Sequence, residues 1–527
     1  MTRKIIDQIE NQKNTFSAFL ITLFVIILLR TFLWSFLIQD YTIPDYTTFF
    51  LLTPLFYFNT LISIMLITYL LTKTPIGKLA NIMLYAWILI LLPPLLDIFF
   101  TKNQVLPFLL FGPNDFFYKM GTYLIDMSGK GHTIGTNLQL ILIIALFTIY
   151  VFLKTKSKIK AITGAIIIYI IIFLYTSIPS ILGILVLGTS KPLSMIREAD
   201  ILNFLINTRE SLLIFYKDPS VYVNIQASLF TIPVLVIQLL LLYLTFGNKK
   251  LASTIKSIRF TRFIPQLFVF FAGIMFSYNH LNNKDIFTFQ FILSIIVGFL
   301  AVLFSWLYAT HLNDVTDIKI DRLSNTDRPL PSRISSVKEF KILAFVFIIL
   351  TLMCSLTLGY KMFVLFMIMI CLPYIYSMPP FRLRRWPVTS NLLIAGQATI
   401  VFIAGYLLFN SNNSLINLPK NLIALIFVVI ALISSVKDIK DFRGDGPNRV
   451  YTIPTIFGLR KGKIIIGILS FTAFILFPIF LKNADLLLVS AAFGIAELLI
   501  ILDQKLREKW IFGMWFVYIF LVALIAF

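Results

Sequence analysis

Only two cysteines, Cys354 and Cys371, occur in 527 residues, and both lie inside apolar runs. That excludes a disulfide framework and a thiolate metal centre, and leaves them as small core- or lipid-facing side chains. Charge is also scarce, at 13% of residues, too little to coat a soluble fold of this length. The chain lacks the short alternating segments of a membrane barrel. It also lacks a phosphate-binding glycine loop, an HExxH metal motif and a serine-nucleophile elbow, so the familiar chemistries of those motifs have no foothold.

What is abundant is hydrophobicity: 59% of residues, with 15% aromatic. The apolar residues form successive runs of about 20, long enough to cross a hydrocarbon core of about 30 Å as helices. An all-α, polytopic integral membrane protein follows. Met1 to Thr15 is polar and of mixed charge, and the run from Phe16 to Ile38 is too long for a signal-peptide core, which makes it a retained first span. The formal charge of +21, from 45 Lys and Arg against 24 Asp and Glu, would suggest nucleic acid in a soluble protein. Here the cations sit in short loops between apolar runs, as positive-inside topology requires, so no nucleic-acid partner is expected and membrane lipid is the surrounding phase.

Spans are expected near 16–38, 48–72, 79–100, 137–153, 161–187 and 224–246. A basic stretch follows, with Lys249, Lys250, Lys256, Arg259 and Arg262. Nine more spans are expected near 263–280, 287–310, 341–358, 362–378, 391–409, 420–437, 463–481, 485–502 and 510–527. The total is about fifteen, divided into a unit of about six helices over 1–250 and one of nine over 251–527. Alternating the loops puts the N-terminus and the most basic loops in the cytoplasm and the C-terminus outside. Two longer segments, 101–136 and 188–223, fall outside despite several basic residues.

Chemistry concentrates at the inner end of the eighth span, where NDVTDIKIDR supplies Asn313, Asp314, Asp317 and Asp321. Spacings of three and then four place three carboxylates along one helix face, where they repel one another. A solvated, charge-paired helix cap is one way to carry them; a shared divalent cation is another. A second cluster in KDIKDFRGD, Asp438, Asp441 and Asp445, repeats the spacing at the end of the twelfth span, on the same side. Two facing carboxylate sets suit Mg²⁺ shared with substrate phosphates, since that ion takes hard oxygen ligands. Arg322, Arg328, Lys437, Arg443 and Arg449 stand close enough in sequence to neutralise a departing diphosphate.

The string NDVTDIKIDRLSNTDRPLPSRISS resembles the first signature of the UbiA prenyltransferase superfamily, NDxxDxxxD followed by a DRP segment. KDIKDFRGDGPNRVYTIPTIFG resembles the second, DxxDxxxD followed by a TxP turn. Between them YIYSMPPFRLRRWPVTSN is similar to the family's YSxPPxRLKR connection, through Tyr376, Ser377, Pro379, Pro380, Arg382, Leu383, Arg384 and Arg385. The resemblance covers about 255–527, and the nine expected spans match the family's nine helices around a central cavity. It implies transfer of a polyprenyl group from polyprenyl diphosphate to an acceptor, in lipid or quinone biosynthesis. Asp314, Asp317, Asp321, Asp438, Asp441 and Asp445 would hold Mg²⁺ on the diphosphate, with Asn313 assisting and Arg322, together with Arg262, on phosphate oxygens. The KDxxDxxGD and DRPLPS forms are most like the branch of digeranylgeranylglyceryl phosphate synthase and the chlorophyll and homogentisate enzymes.

A competing reading is a lipid or ion transporter whose carboxylates bind the transported cation. Three single residues also carry expectations. His311 is read as a hydrogen-bonded interfacial histidine rather than a proton shuttle. Arg30, inside the first span, must snorkel or pair, and Asp97, after Pro93 and Pro94, marks a helix end at the interface. The first unit has no paired acid motif and is not a duplicated catalytic unit.

Overall fold

The computed structural model describes residues 2–38, 47–100, 109–125, 133–207, 219–279, 289–408, 418–448, 450–503 and 508–526. Among these every regular element is helical and there is no strand. Thirteen helices are long and apolar enough to span a membrane, and Ile178–Leu187, Leu486–Leu502 and Lys509–Val522 are shorter apolar helices. Many large apolar side chains point outward, such as Phe99, Leu488 and Leu524. Lipid, not water, is the phase that makes such a surface stable.

The chain forms two compact units: Met1–Gly247 with Phe287–Leu293, and Asn248–Ile286 with Ser294–Phe527. In the first, the span expected over 161–187 is broken into Lys158–Thr176 and Ile178–Leu187. Pro179 causes the break: it has no N–H to donate backward and is suited to the first turn of a new helix. The polar N-terminus forms the Thr2–Glu10 helix, whose buried Glu10 takes Lys154 Nζ at 2.6 Å and the Tyr150 hydroxyl at 2.9 Å. Asp97 is fully buried and caps a neighbouring helix. Its Oδ1 accepts from Gly135 N at 2.7 Å, and Thr133 donates to its Oδ2 at the start of Ile134–Thr155. Arg30 is solved by pairing: its guanidinium lies 5.0 Å from the Trp34 ring and 5.5 Å from that of Tyr57.

Among its described residues the second unit contains the apolar helices Phe260–Asn279, Phe289–Thr316, Val337–Thr357, Tyr360–Ser377, Pro387–Leu407, Lys420–Ile433 continued by Val436–Asp445, Leu459–Leu481, Leu486–Leu502 and Glu508–Ala526, the second of them starting in the 287–293 segment, together with the shorter Asn248–Ser257, Ile318–Ser324 and Ile453–Phe457. Two of these cross with backbone against backbone. Phe260–Asn279 carries VFFAG at 269–273 and Pro387–Leu407 carries VFIAG at 401–405. A Cβ on Gly273 would stand 2.2 Å from the Phe402 carbonyl oxygen, and one on Gly405 would stand 2.1 Å from that of Phe270. The contact is reciprocal, position for position, and only glycine permits it. Each of these helices precedes one that ends in an acid cluster. The unit therefore reads as two related halves, a repeat that the acid spacing alone reveals only in part.

Candidate active site

The acid clusters are positioned by different backbones. Phe289–Thr316 ends just before Asp317, which begins the short Ile318–Ser324 helix. The helical hydrogen bonds nevertheless continue, Asp317 N to Asn313 O at 2.9 Å and Asp321 N to Asp317 O at 2.8 Å. Asp438, Asp441 and Asp445 lie on the single Val436–Asp445 helix. Asn325 joins the two sets, donating Nδ2 to Asp321 Oδ1 at 3.1 Å and to Asp441 Oδ1 at 3.2 Å.

Arginines complete the link. Arg259 pairs with Asp314, and Arg328 Nη1 reaches Asp321 Oδ1 at 2.5 Å and Asp314 Oδ1 at 3.5 Å. Arg384 pairs with Asp317 and stands 3.6 Å from Asp445 Oδ1, while Arg382 lies 3.7 Å from Asp317 Oδ1. Arg259 and Arg382 both hold left-handed backbone, with φ of 52° and 42°, a conformation non-glycine residues adopt where surrounding contacts enforce it. Burial pushes the Asp321 carboxyl up against the opposing pull of Arg328. Burial lowers the Arg328 guanidinium, but Asp314 and Asp321 outweigh it and hold it above its ordinary value.

Beneath this rim lies a cavity of about 290 Å³. Asn313, Asp317, Asp321, Asp438, Asp441 and Asp445 line it, with Arg262, Arg328, Lys437, Tyr376 and Ser377. Asp314 is buried beside the rim through its arginine pairs. Lys437 Nζ donates to the Tyr376 hydroxyl at 2.8 Å and to Ser390 Oγ at 3.4 Å. Deeper, the wall is mainly apolar and aromatic, with Val269, Trp306, Ile394, Ile430, Ile433, Phe512 and Trp515.

Several expected cations lie elsewhere. Arg322 and Arg443 are exposed and do not line the cavity. Arg322 follows Asp321 by one residue and Arg443 follows Asp441 by two, about 100° and 200° around the helix, so both point away from the carboxylate face. Arg449 lies outside the described residues. In their place stand Arg259, which the sequence offered only as linker charge, and Arg384, visible there only within the YSMPPFRLRR string. His311 is fully buried, with Nδ1 2.8 Å from Leu307 O and its ring against Phe340. It is a packed, hydrogen-bonded residue, as expected.

The donor set suits a hard divalent cation in kind. Asp317 Oδ1 and Asp445 Oδ1 are buried, belong to cavity-lining residues and have no hydrogen-bond partner, each having only a guanidinium at 3.6–3.7 Å, and carboxylate oxygens are the ligand type such an ion takes. In arrangement the carboxylates are separated by guanidinium groups, and among the described residues no three acidic, histidine or cysteine side chains converge on one metal position.

The model of the UbiA prenyltransferase family matches residues 266–524. The chain is similar to 2-acyl-4-prenylphloroglucinol 6-prenyltransferase of Humulus lupulus, 26% identical over 212 residues, 38% of this chain and 52% of that protein. It is also similar to digeranylgeranylglyceryl phosphate synthase of Sulfurisphaera tokodaii, 28% identical over 203 residues, 37% of this chain and 69% of that protein. The match thus takes in about half of the Humulus protein's length. A solved UbiA homologue from Archaeoglobus fulgidus, bound to GPP and Mg²⁺, is 21% identical with a TM-score of 0.38, covering 51% of this chain and 99% of that one. Through residues 266–524, the chain belongs to the UbiA prenyltransferase family.

Proposed function

We propose that the second unit transfers a polyprenyl group from its diphosphate to an acceptor at the cavity between the acid clusters, with Mg²⁺ as cofactor. The observation that carries this is the junction of the clusters: Asn325 bridges Asp321 and Asp441, and Arg384 lies between Asp317 and Asp445. More than a hundred residues of sequence separate these groups, and nothing in a bland helix bundle gathers five carboxylates on one cavity with a sixth, Asp314, beside it. Held by Asp314, Asp317, Asp321, Asp438, Asp441 and Asp445, Mg²⁺ would supply charge neutralisation to the diphosphate.

The chain's own residues do the rest. Arg259, Arg262, Arg328, Arg384 and Lys437 offer donors to phosphate oxygens as the allylic C–O bond breaks and its electron pair leaves with the diphosphate. Trp306, Tyr376, Phe512 and Trp515 present rings to the carbocation left behind. The acceptor's nucleophile then forms the new bond and loses its proton. A lipid glyceryl phosphate or an aromatic ring is the acceptor class we favour, in keeping with the names of the two relatives. The rim faces the cytoplasm, with the C-terminus outside, because the basic loops alternate that way. The first unit is an accessory membrane domain outside the chemistry.

The test is to incubate the purified full-length protein with labelled prenyl diphosphates, Mg²⁺ and a panel of acceptors, and to identify products by mass spectrometry. Prenylated product and released diphosphate are expected. Cation movement across vesicles with no diphosphate release would establish the transporter reading instead.

A further inference from the structure

Between the charged rim and the apolar depth of the cavity lies a layer with few polar groups. It follows the helices inward. On Phe260–Asn279 the lining residues run Arg262, Gln266, Val269, and on Pro387–Leu407 they run Ser390, Ile394, Gln397, Ala398. At 1.5 Å rise per residue, Gln266 stands about 6 Å deeper than Arg262, and Gln397 about 10 Å deeper than Ser390. Across the cavity the same layer is filled by Thr310 and Trp306 on the first acid helix and by Ile430 and Ile433 on the second. The Thr310 hydroxyl is spent on Leu307 O at 3.0 Å, and Trp306 Nε1 on Ile258 O at 2.6 Å.

The two glutamine side chains make no hydrogen bond among the described residues. They also occupy related places. Gln266 lies seven residues before Gly273 and Gln397 eight before Gly405, the two glycines at which these helices cross backbone to backbone. The crossing fixes both helices, so each amide enters the cavity from a corresponding position, about two turns from the contact. An amide facing an apolar chamber loses hydrogen bonds to water, a loss tolerated only if something replaces them.

We infer that Gln266 and Gln397 recognise the acceptor, binding the hydroxyl group it presents to the cation end of the prenyl chain. This rests on the proposed transfer and adds the residues that select the second substrate. The diphosphate is held at the rim by cations and carboxylates, so the carbon bonded to it lies just inside that rim, in the layer of the two amides. An acceptor must reach that carbon to react. An amide can donate to and accept from a hydroxyl at once, which a hydrocarbon acceptor would leave unpaired.

The test uses full-length wild type, Gln266→Met and Gln397→Met, which keep side-chain length and remove hydrogen bonding. Two labelled probes serve as acceptor: geranylgeranylglyceryl phosphate and homogentisate. Equilibrium binding of each probe and the separate KM values for probe and geranylgeranyl diphosphate are measured, with thermal unfolding to confirm folded protein. For the probe that wild type uses, each substitution should weaken binding and raise its KM by about tenfold or more, with the KM for the prenyl diphosphate changed less than about twofold. If one variant fails to fold, the other decides. Unchanged probe affinity in a folded variant overturns the assignment, as does a rise confined to the prenyl diphosphate. Wild type that transfers to neither probe while releasing diphosphate with another acceptor lacking a hydroxyl also overturns it. Wild type that transfers to no acceptor at all fails the proposed reaction itself, and the assignment with it.

Discussion

The two acid clusters share a spacing and differ in company. Asp314, Asp317 and Asp321 each pair with at least one guanidinium, from Arg259, Arg328 or Arg384. In the second cluster Asp445 has one guanidinium 3.6 Å away, Asp441 has the Asn325 amide, and the Asp438 carboxylate has no hydrogen bond or ion pair among the described residues. The first set is matched by guanidinium groups of the chain, whereas the second has fewer charge partners among the described residues. A repeated motif therefore need not mean repeated roles, because the partners come from segments outside the motif. Arg259 precedes the Phe260–Asn279 helix, and Arg328 sits in the loop after the first cluster.

If both clusters nevertheless act as one site, Asp317→Asn and Asp438→Asn should each lower turnover on the order of 10²-fold or more, read as product by mass spectrometry. The double substitution should be little worse than the poorer single one, as for groups that work as a unit. Chelation of divalent cations should abolish turnover, and added Mg²⁺ should restore it. Activity that survives loss of the second cluster would break the comparison outright.

Stability sharpens it. Arg328→Ala leaves buried Asp321 with no guanidinium and only the Asn325 amide, and removes one of the two guanidiniums beside Asp314; it should destabilise the protein by about 3–5 kcal/mol in reversible unfolding. Asp441→Asn, which breaks no guanidinium pair within 4 Å, should cost no more than about 1 kcal/mol. Equal losses would show that the arginines are not the first cluster's main support. A smaller effect is expected at the shared crossing: Gly405→Ala should destabilise by about 1–3 kcal/mol, whereas Gly446→Ala, with no neighbour closer than 3.8 Å, should stay within about 0.5 kcal/mol. Smallest of all, Lys256→Ala removes an exposed cation 3.4 Å from Asp327 Oδ2 and should change stability by less than about 1 kcal/mol.

The helical fold was legible because apolar runs of span length leave no other structure, and the acid clusters because carboxylates at three-then-four spacing mark one helix face. The charge partners were not. Helical periodicity tells which residues share a face, but it cannot tell which loop folds back onto that face. Thus Arg259 looked like linker charge, while Arg322 and Arg443, adjacent in sequence to the acids, turned outward. The broken span at Ser177 had a visible cause in Pro179, obscured by unbroken hydrophobicity on both sides. Gln266 and Gln397 gave no periodic signal, since a single amide in an apolar run becomes informative only when a cavity is seen beside it.

Among the described residues, every non-glycine residue with positive φ is a lysine or an arginine: Lys73, Lys156, Arg259, Arg333, Arg382 and Lys482. Three of them, Lys73, Lys156 and Lys482, are the C-caps of spanning helices, where glycine would be the relaxed choice. A lysine there accepts the left-handed penalty, about 1 kcal/mol, and in return sets a positive charge against the negative end of the helix dipole. The same ammonium can reach the lipid headgroups. One residue thus acts as helix stop, dipole counter-charge and depth marker, so these turns fix where each helix ends and also how far it can slide through the bilayer.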